Sequence, residues 1–294
     1  METYKTGLKF KHIEDVDKNL AEKIRNIVRL NAFTVHNKDK TFSMRLYKDP
    51  DNRHFPSVTS VFPKGKELGN WKVSLAQRYG EIKVLETLFD EMKLKIDIEK
   101  AEEIMKKYGS GASNCESERA RKRGNNCHKL VQDTINNIDE IVFTNTNYKA
   151  LYKQLYPYLK KIGNIYCVEK QLCSYKLGIA GRTDLIAMYN GKLSVIDYKF
   201  SNYDRSKQDW YKEGVMIQTW TYAHCLEELT GIKISQCVVL VSNEDLTVNE
   251  LISDRKEMTG YVGKMREFIM NFNKDNSENI MEAMNGSQKT NTSK

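Results

Sequence analysis

Residues 178–200, GIAGRTDLIAMYNGKLSVIDYKF, constrain the architecture of this chain more than any other stretch. Two apolar runs flank Asn190-Gly191, a dipeptide suited to the left-handed backbone of the tightest hairpin turns. The runs therefore read as antiparallel strands. Leu193, Val195 and Ile196 make the second run almost continuously apolar, as in a strand covered on both faces. Such a strand belongs inside a sheet with a layer on each side. It ends in Asp197, Tyr198 and Lys199. Side chains alternate along a strand, so Asp197 and Lys199 share a face and Tyr198 takes the other. Asp184 is expected to open the preceding strand, and the hairpin carries it toward Asp197. Two carboxylates and an ammonium then meet at the rim of a core, where desolvation of charge is costly unless it is compensated. A surface ion pair between Asp184 and Lys199 is the plainer reading, worth about 0–1 kcal/mol. The apolar flanks weigh against it and favour a site for a hard divalent cation beside a phosphate.

Bulk properties narrow the chemistry. With 294 residues, 40% of them hydrophobic, the chain is long enough for one large domain or a domain with an appendage. A net charge of +8 suits a polyanionic partner, although many basic proteins bind no nucleic acid. No apolar run approaches the roughly 20 residues of a membrane helix. The N-terminal METYKTGLKFKHIEDVDKNL has neither the apolar segment of a signal peptide nor the acid-poor character of a transit peptide. An intracellular, cytoplasmic protein with no membrane association is expected. Cysteines at 115, 127, 167, 173, 225 and 237 form no C-x-x-C pair, and the five histidines form no H-x-x-x-H pair. Zinc knuckles and iron–sulfur clusters lack their usual ligand spacing. A bound metal would be held by oxygens with at most one imidazole, which favours Mg²⁺ or Mn²⁺.

Along the chain, residues 16–31 have helical spacing of apolar residues, and a hairpin is expected over FSMRLYK-DPDNR-HFPSVTSVF. Residues 69–108 read as largely helical, with a break over 109–113. Helices follow at about 115–137 and 148–161. Strands are then expected at IYCVEKQLCSYK, GRTDLIAMY and LSVIDYKF, a helix at GVMIQTWTYAHCLEELTG, a buried strand at SQCVVLVSN and a last helix over 252–274. The polar tail is expected to be disordered. This order describes an α/β core with a central mixed sheet flanked by helices, preceded by a helical and hairpin extension. The expected division is 1–110 for the extension, 111–275 for the core and 276–294 for the tail.

The pattern G-x-x-G-R-x-D, a strand ending in D-x-K, then a helix with Q-x-x-x-Y resembles the PD-(D/E)XK nuclease superfamily, RecB-like branch. Within it the chain is most similar to the mitochondrial genome maintenance exonucleases and their phage relatives. The resemblance is carried by PSVTSV (56–61), Trp71, the R-G-x-x-x-H ending at His128, VEKQL (168–172), NGKLSVIDYK (190–199), QTWTYA (218–223) and CVVLV (237–241). It spans roughly 53–245. It implies a restriction-endonuclease-like core and a metal-dependent exonuclease acting on DNA, single-stranded by preference, in replication, repair or recombination. Proteins of those pathways are the implied partners. A structure-specific or restriction-type endonuclease and a non-catalytic nucleic-acid-binding module are the alternatives.

The resemblance also implies roles. Asp184 and Asp197 would bind metal, and Lys199 would steady the attacking water or the phosphate. His128 would complete the metal site, with Glu169 as an additional acid. Gln218 and Tyr222, on one helical face, would support the site or touch DNA, and Arg182 would join them. Arg121 and Arg123 belong to a cluster, with Arg119, Lys122 and Lys129, that would track backbone phosphates. Plainer readings stand beside these: a cross-strand pair for Glu169, a helix–sheet contact for Gln218 and Tyr222, a solvated face for the basic cluster. Trp71, Tyr203, Trp210, Tyr211 and Trp220 are candidates for base stacking or for packing. Two positions depart from the family pattern. Gln132 stands where a Glu often follows the His, and Phe200 follows the Lys where Thr is common.

Overall fold

The structure is a computed structural model that describes residues 2–13, 18–63 and 112–289; of 112–116 and 285–289 it describes the backbone alone. The described elements are β1 (Glu2–Lys5), α1 (Lys18–Arg25), β2 (Asn31–His36), β3 (Ser43–Lys48), β4 (His54–Pro56), α2 (Val58–Val61), α3 (Ala112–Ile135), β5 (Glu140–Phe143), α4 (Thr146–Leu159), β6 (Ile162–Ser174), β7 (Ile179–Tyr189), β8 (Lys192–Ser201), α5 (Asp209–Thr230), β9 (Gln236–Asn243), β10 (Val248–Asp254) and α6 (Met258–Lys289). The chain forms two compact units: Met1–Phe62 with Cys127–Lys294, and Pro63–Asn126.

The first unit is built on a five-stranded mixed sheet in the order β10-β9-β8-β7-β6. β6, β7 and β8 form an antiparallel meander, β8 and β9 run parallel, and β10 returns antiparallel. α5 supplies the crossover that a parallel pair requires. At the β7–β8 turn Asn190 and Gly191 have φ of 48° and 77°, the left-handed pair expected of this dipeptide. All eight residues of β9 are buried, which accounts for its unbroken apolar run. Alternation sends Val195, Cys237, Val239 and Val241 to one face, against Met216, Trp220 and Leu226 of α5. Ile196, Tyr198, Val238 and Leu240 go to the other, against Val131 and Ile135 of α3 and Leu155 and Leu159 of α4. Each fully buried aliphatic side chain contributes about 1.5–3 kcal/mol. These two apolar layers hold the sheet, and hence its rim, in place. The fold is thus mixed α/β, with helices on both faces of the sheet, as expected.

Several local expectations fail for identifiable reasons. The helix expected over 16–31 is only α1, because Asn31 already pairs with Lys48 at the start of β2. The expected hairpin is consequently a three-stranded sheet, β2-β3-β4. PSVTSV does not continue as strand: the Ser57 hydroxyl accepts from Thr59 N and caps α2. The last helix begins at Met258, after β10, rather than at 252. The tail expected to be disordered from 276 is helical to Lys289, with non-helical backbone at Asn276. Its Ala283 is buried with Val35, Phe42, Met44 and Leu46, and Asn37 Nδ2 donates to Asn279 Oδ1 at 3.0 Å. Ile280, Ala283 and Met284 form a helical stripe inside an otherwise polar composition. The expected helices over 69–108, and Trp71, lie outside the described residues. Among the described residues no helix is long and apolar enough to cross a membrane.

Candidate metal centre

The site begins where two strands part. β7 and β8 pair from Tyr189↔Lys192 as far as Leu185↔Ile196, and there the ladder stops. β8 continues on β9 to Ser201, and β7 continues on β6 to Ile179. The residues just beyond the last pair are Asp184 and Asp197. Asp184 thus lies in the middle of β7, not at its start as expected. Its Oδ2 accepts the Tyr198 N–H at 2.9 Å, so a carboxylate replaces a ladder carbonyl. Hydrogen bonds to charged groups contribute about 1.5–3 kcal/mol.

Glu169 stands opposite Asp184 on β6, between the pairs Val168↔Leu185 and Lys170↔Thr183. Its φ is +51°, in the left-handed region. For a residue with a Cβ this costs about 1–2 kcal/mol. Such strain gathers at sites whose surroundings dictate the conformation. Glu169 Oε2 lies 2.7 Å from Arg182 Nε. α3 brings in His128, anchored by the buried Cys127 and Val131 beside it. His128 Nδ1 is 3.5 Å from Asp184 Oδ2, and its ring meets Phe200 and Tyr198 edge-on, at 5.4 and 6.2 Å between centroids. One ligand atom each from His128, Glu169 and Asp184 lie within 4.8 Å of one another. Opposite ligands of an ion with bonds of about 2.0–2.1 Å stand roughly 4 Å apart, so little closure is needed.

Asp197 is not part of that triad. It is 2% exposed, and its Oδ2 lies 2.7 Å from Lys199 Nζ. The two share a face of β8, as alternation requires. Lys199 Nζ also donates to Gln218 Oε1 at 3.3 Å, and Gln218 Nε2 to the Tyr222 hydroxyl at 3.2 Å. A single line of polar contacts thus runs from Asp197 to Tyr222 on α5. Tyr222 in turn explains Gly181: a Cβ there would lie 2.5 Å from Tyr222 Cε1. The glycine lets the helix seat its tyrosine directly on β7. A glycine inside a strand pattern is a legible sign of close approach, but which group approaches is not.

Burial and the negative charge of Asp197 push the Asp184 carboxyl well above the usual range, against the pull of Lys199 and the Tyr198 N–H. Burial pulls Lys199 down, but Asp197 and Asp184 outweigh it, and the ammonium is held above its ordinary value. Burial lowers His128, which favours the neutral imidazole that can ligate a metal. Three carboxylates therefore crowd around one ammonium and one guanidinium, and Asp197 Oδ2 makes no directional hydrogen bond. A divalent cation would relieve this excess. The donors, oxygens with one imidazole, fit Mg²⁺ or Mn²⁺ better than a soft metal. Gln132, one turn beyond His128, adds no carboxylate.

Arg121 and Arg123 belong to the second compact unit. Glu118 stands 3.9 Å from Arg121, and Arg123 is buried. Trp220 is core: it is fully buried and its Nε1 donates to Ser253 Oγ at 2.7 Å. Trp210 is exposed, while Arg205 lies over the rings of Tyr203 and Tyr211.

The fold and site define a mixed α/β protein with a candidate carboxylate–imidazole metal centre. No protein-family model matches the chain, and no curated protein does. Among solved structures it is similar to a crystal structure of a Eubacterium rectale protein named as a putative exonuclease. The two are 11% identical with a TM-score of 0.38, and the match covers 56% of this chain and 71% of that one.

Proposed function

We propose that this chain is a metal-dependent deoxyribonuclease with a PD-(D/E)XK core of the RecB-like type. It acts as an exonuclease, prefers single-stranded DNA, and serves replication, repair or recombination. The observation that carries the reading is the gathering of His128, Glu169 and Asp184 within 4.8 Å, at the strand fork that also holds the Asp197–Lys199 pair. Those three residues would hold Mg²⁺ or Mn²⁺, with Asp197 as the further carboxylate. When bound, the cation lowers the pKa of water and offsets the charge that grows on a phosphate.

The chain supplies the rest. Hydrolysis forms one bond from water oxygen to phosphorus and breaks the bond from phosphorus to a sugar oxygen, which leaves with a proton. Lys199 stays protonated, so it acts as a positive charge and donor toward the phosphate or the water rather than as a base. Gln218 and Tyr222 hold its side chain in line. His128 is neutral and offers a lone pair. Arg182 orients Glu169, and the exposed Arg121 is assigned to backbone phosphates of the bound strand, whereas the buried Arg123 is not accessible to them.

The test is digestion of 5′- and 3′-labelled single- and double-stranded DNA, and of closed circles, with Mg²⁺ and then with EDTA. Linear single strands should be degraded from an end, circles should survive, and EDTA should stop the reaction. Asp184→Ala and Asp197→Ala should each lower the rate by at least about 100-fold, the scale of losing one electrostatic catalytic group. An Asp197→Ala variant that cuts at near wild-type rate would refute the assignment.

A further inference from the structure

Beside Glu169 a cleft of about 440 Å³ opens between the end of α1 and β6. Its walls carry four cations: Arg25 and Arg29 from α1 and the segment after it, Lys170 from β6 and Arg182 from β7. Among the described residues only Arg182 of these four has a carboxylate partner, Glu169. Among the described residues Arg25, Arg29 and Lys170 form no ion pair. The cleft is held open by its foundations. Ile24, Ile27 and Leu30 are buried, and Leu30 N donates to Gln171 Oε1 at 3.1 Å, which ties the segment after α1 to β6. The same anchoring leaves Arg25 and Arg29 exposed. Val28, 40% exposed, adds an apolar patch to the wall.

We infer that this cleft is the backbone-binding channel for a single strand of DNA on its way to the metal centre, an inference that rests on the nuclease reading above. Unpaired cations crowded in one cleft repel each other until a polyanion neutralises them. The cleft, at about 440 Å³ within the roughly 300–1,000 Å³ of small-ligand sites, has room for one or two units of a strand. Val28 offers an apolar surface for sugar carbons between phosphates. Glu169 belongs both to the cleft and to the metal triad, so a strand lying in the cleft has its next phosphate at the centre. This assigns Arg25 and Arg29, which no catalytic pattern touches, to substrate affinity and to the choice of single strands.

The experiment is fluorescence anisotropy of a labelled oligothymidylate and of a labelled hairpin duplex, in EDTA, over a salt series. Wild type should bind the single strand more tightly than the duplex. Each phosphate contact on a single strand adds about 0.7 to the salt slope, so Arg25→Ala/Arg29→Ala should lower the slope by about 1.4 and weaken binding at low salt by about 10-fold or more. Arg25→Lys/Arg29→Lys should keep the slope, and both variants should melt with wild type because the two side chains are exposed. An alanine variant with unchanged slope and affinity overturns the inference, as does a wild type that binds no oligothymidylate. Mg²⁺-dependent cleavage is read in parallel. Cleavage with an unaffected alanine variant sinks the channel alone. The expected slope change without any cleavage sinks the nuclease reading and leaves the strand-binding channel.

Discussion

Gly181 illustrates how one missing side chain shapes a site. Tyr222 occupies the space its Cβ would take, at 2.5 Å, and the contact is ring against backbone with little room to yield. Gly181→Ala should cost about 1–3 kcal/mol, the range for overpacking a core. It should also disturb the Tyr222–Gln218–Lys199 line, so the rate of the proposed nuclease reaction should fall more than stability alone explains. Urea denaturation and single-turnover kinetics report the two effects; a variant with wild-type midpoint and rate would show that the tyrosine simply moves aside. At this scale the sequence was informative where residue type and spacing carry the message. The D-x-K ending put Asp197 and Lys199 on one face, and the Asn190-Gly191 turn brought Asp184 beside them. Glu169 was legible only through family likeness. Nothing in a Glu between Val and Lys announces a left-handed backbone, because that conformation is imposed by the strands around it.

Among elements, the end of α5 shows what fastens the crossover. Arg255 donates to the Glu227 carboxylate through both terminal nitrogens, and Ile234 N donates to Glu227 Oε1 at 2.8 Å. Burial alone would raise this carboxyl, but Arg255 and the Ile234 N–H outweigh it and hold it below its ordinary value. A carboxyl depressed in the folded state stabilises above its unfolded pKa, and the contribution is lost as pH falls through the folded one. Glu227→Gln should therefore destabilise by about 2 kcal/mol at neutral pH. The difference from wild type should shrink as pH falls through the lowered range in which the wild-type carboxyl also protonates. Chemical denaturation across pH checks this, and a pH-independent difference would assign the loss to packing instead. Element types were readable wherever a period ran long, as in β6 to β9 and α3 to α5. Short partners were not. β1, β5 and β10 owe their existence to a neighbour's unpaired edge, and α2 to a serine cap, and neither leaves a periodic trace.

Taken as a whole, the first compact unit uses its C-terminal helix to cover the small sheet of β2 and β3. Ala283 is 1% exposed there, among Val35, Phe42, Met44 and Leu46. Ala283→Asp would bury an unpaired charge and should lower the melting temperature by several degrees, since about 1 kcal/mol already shifts a domain of this size by roughly 2–4 °C. A melt identical to wild type would mean that the helix end sits off the sheet. The mixed α/β architecture was legible because buried strands and amphipathic helices alternate over most of the chain. The two-unit division was not, since the boundary falls inside the continuous helix α3, where composition does not change. The hairpin at Asn190-Gly191 acts as a ruler for the whole arrangement. Adding or removing one residue there would set Thr183 or Leu185, rather than Asp184, across from Asp197, since a one-step slip exchanges the two sides of a strand. A solvent-exposed turn thus sets a length that the chemistry holds fixed.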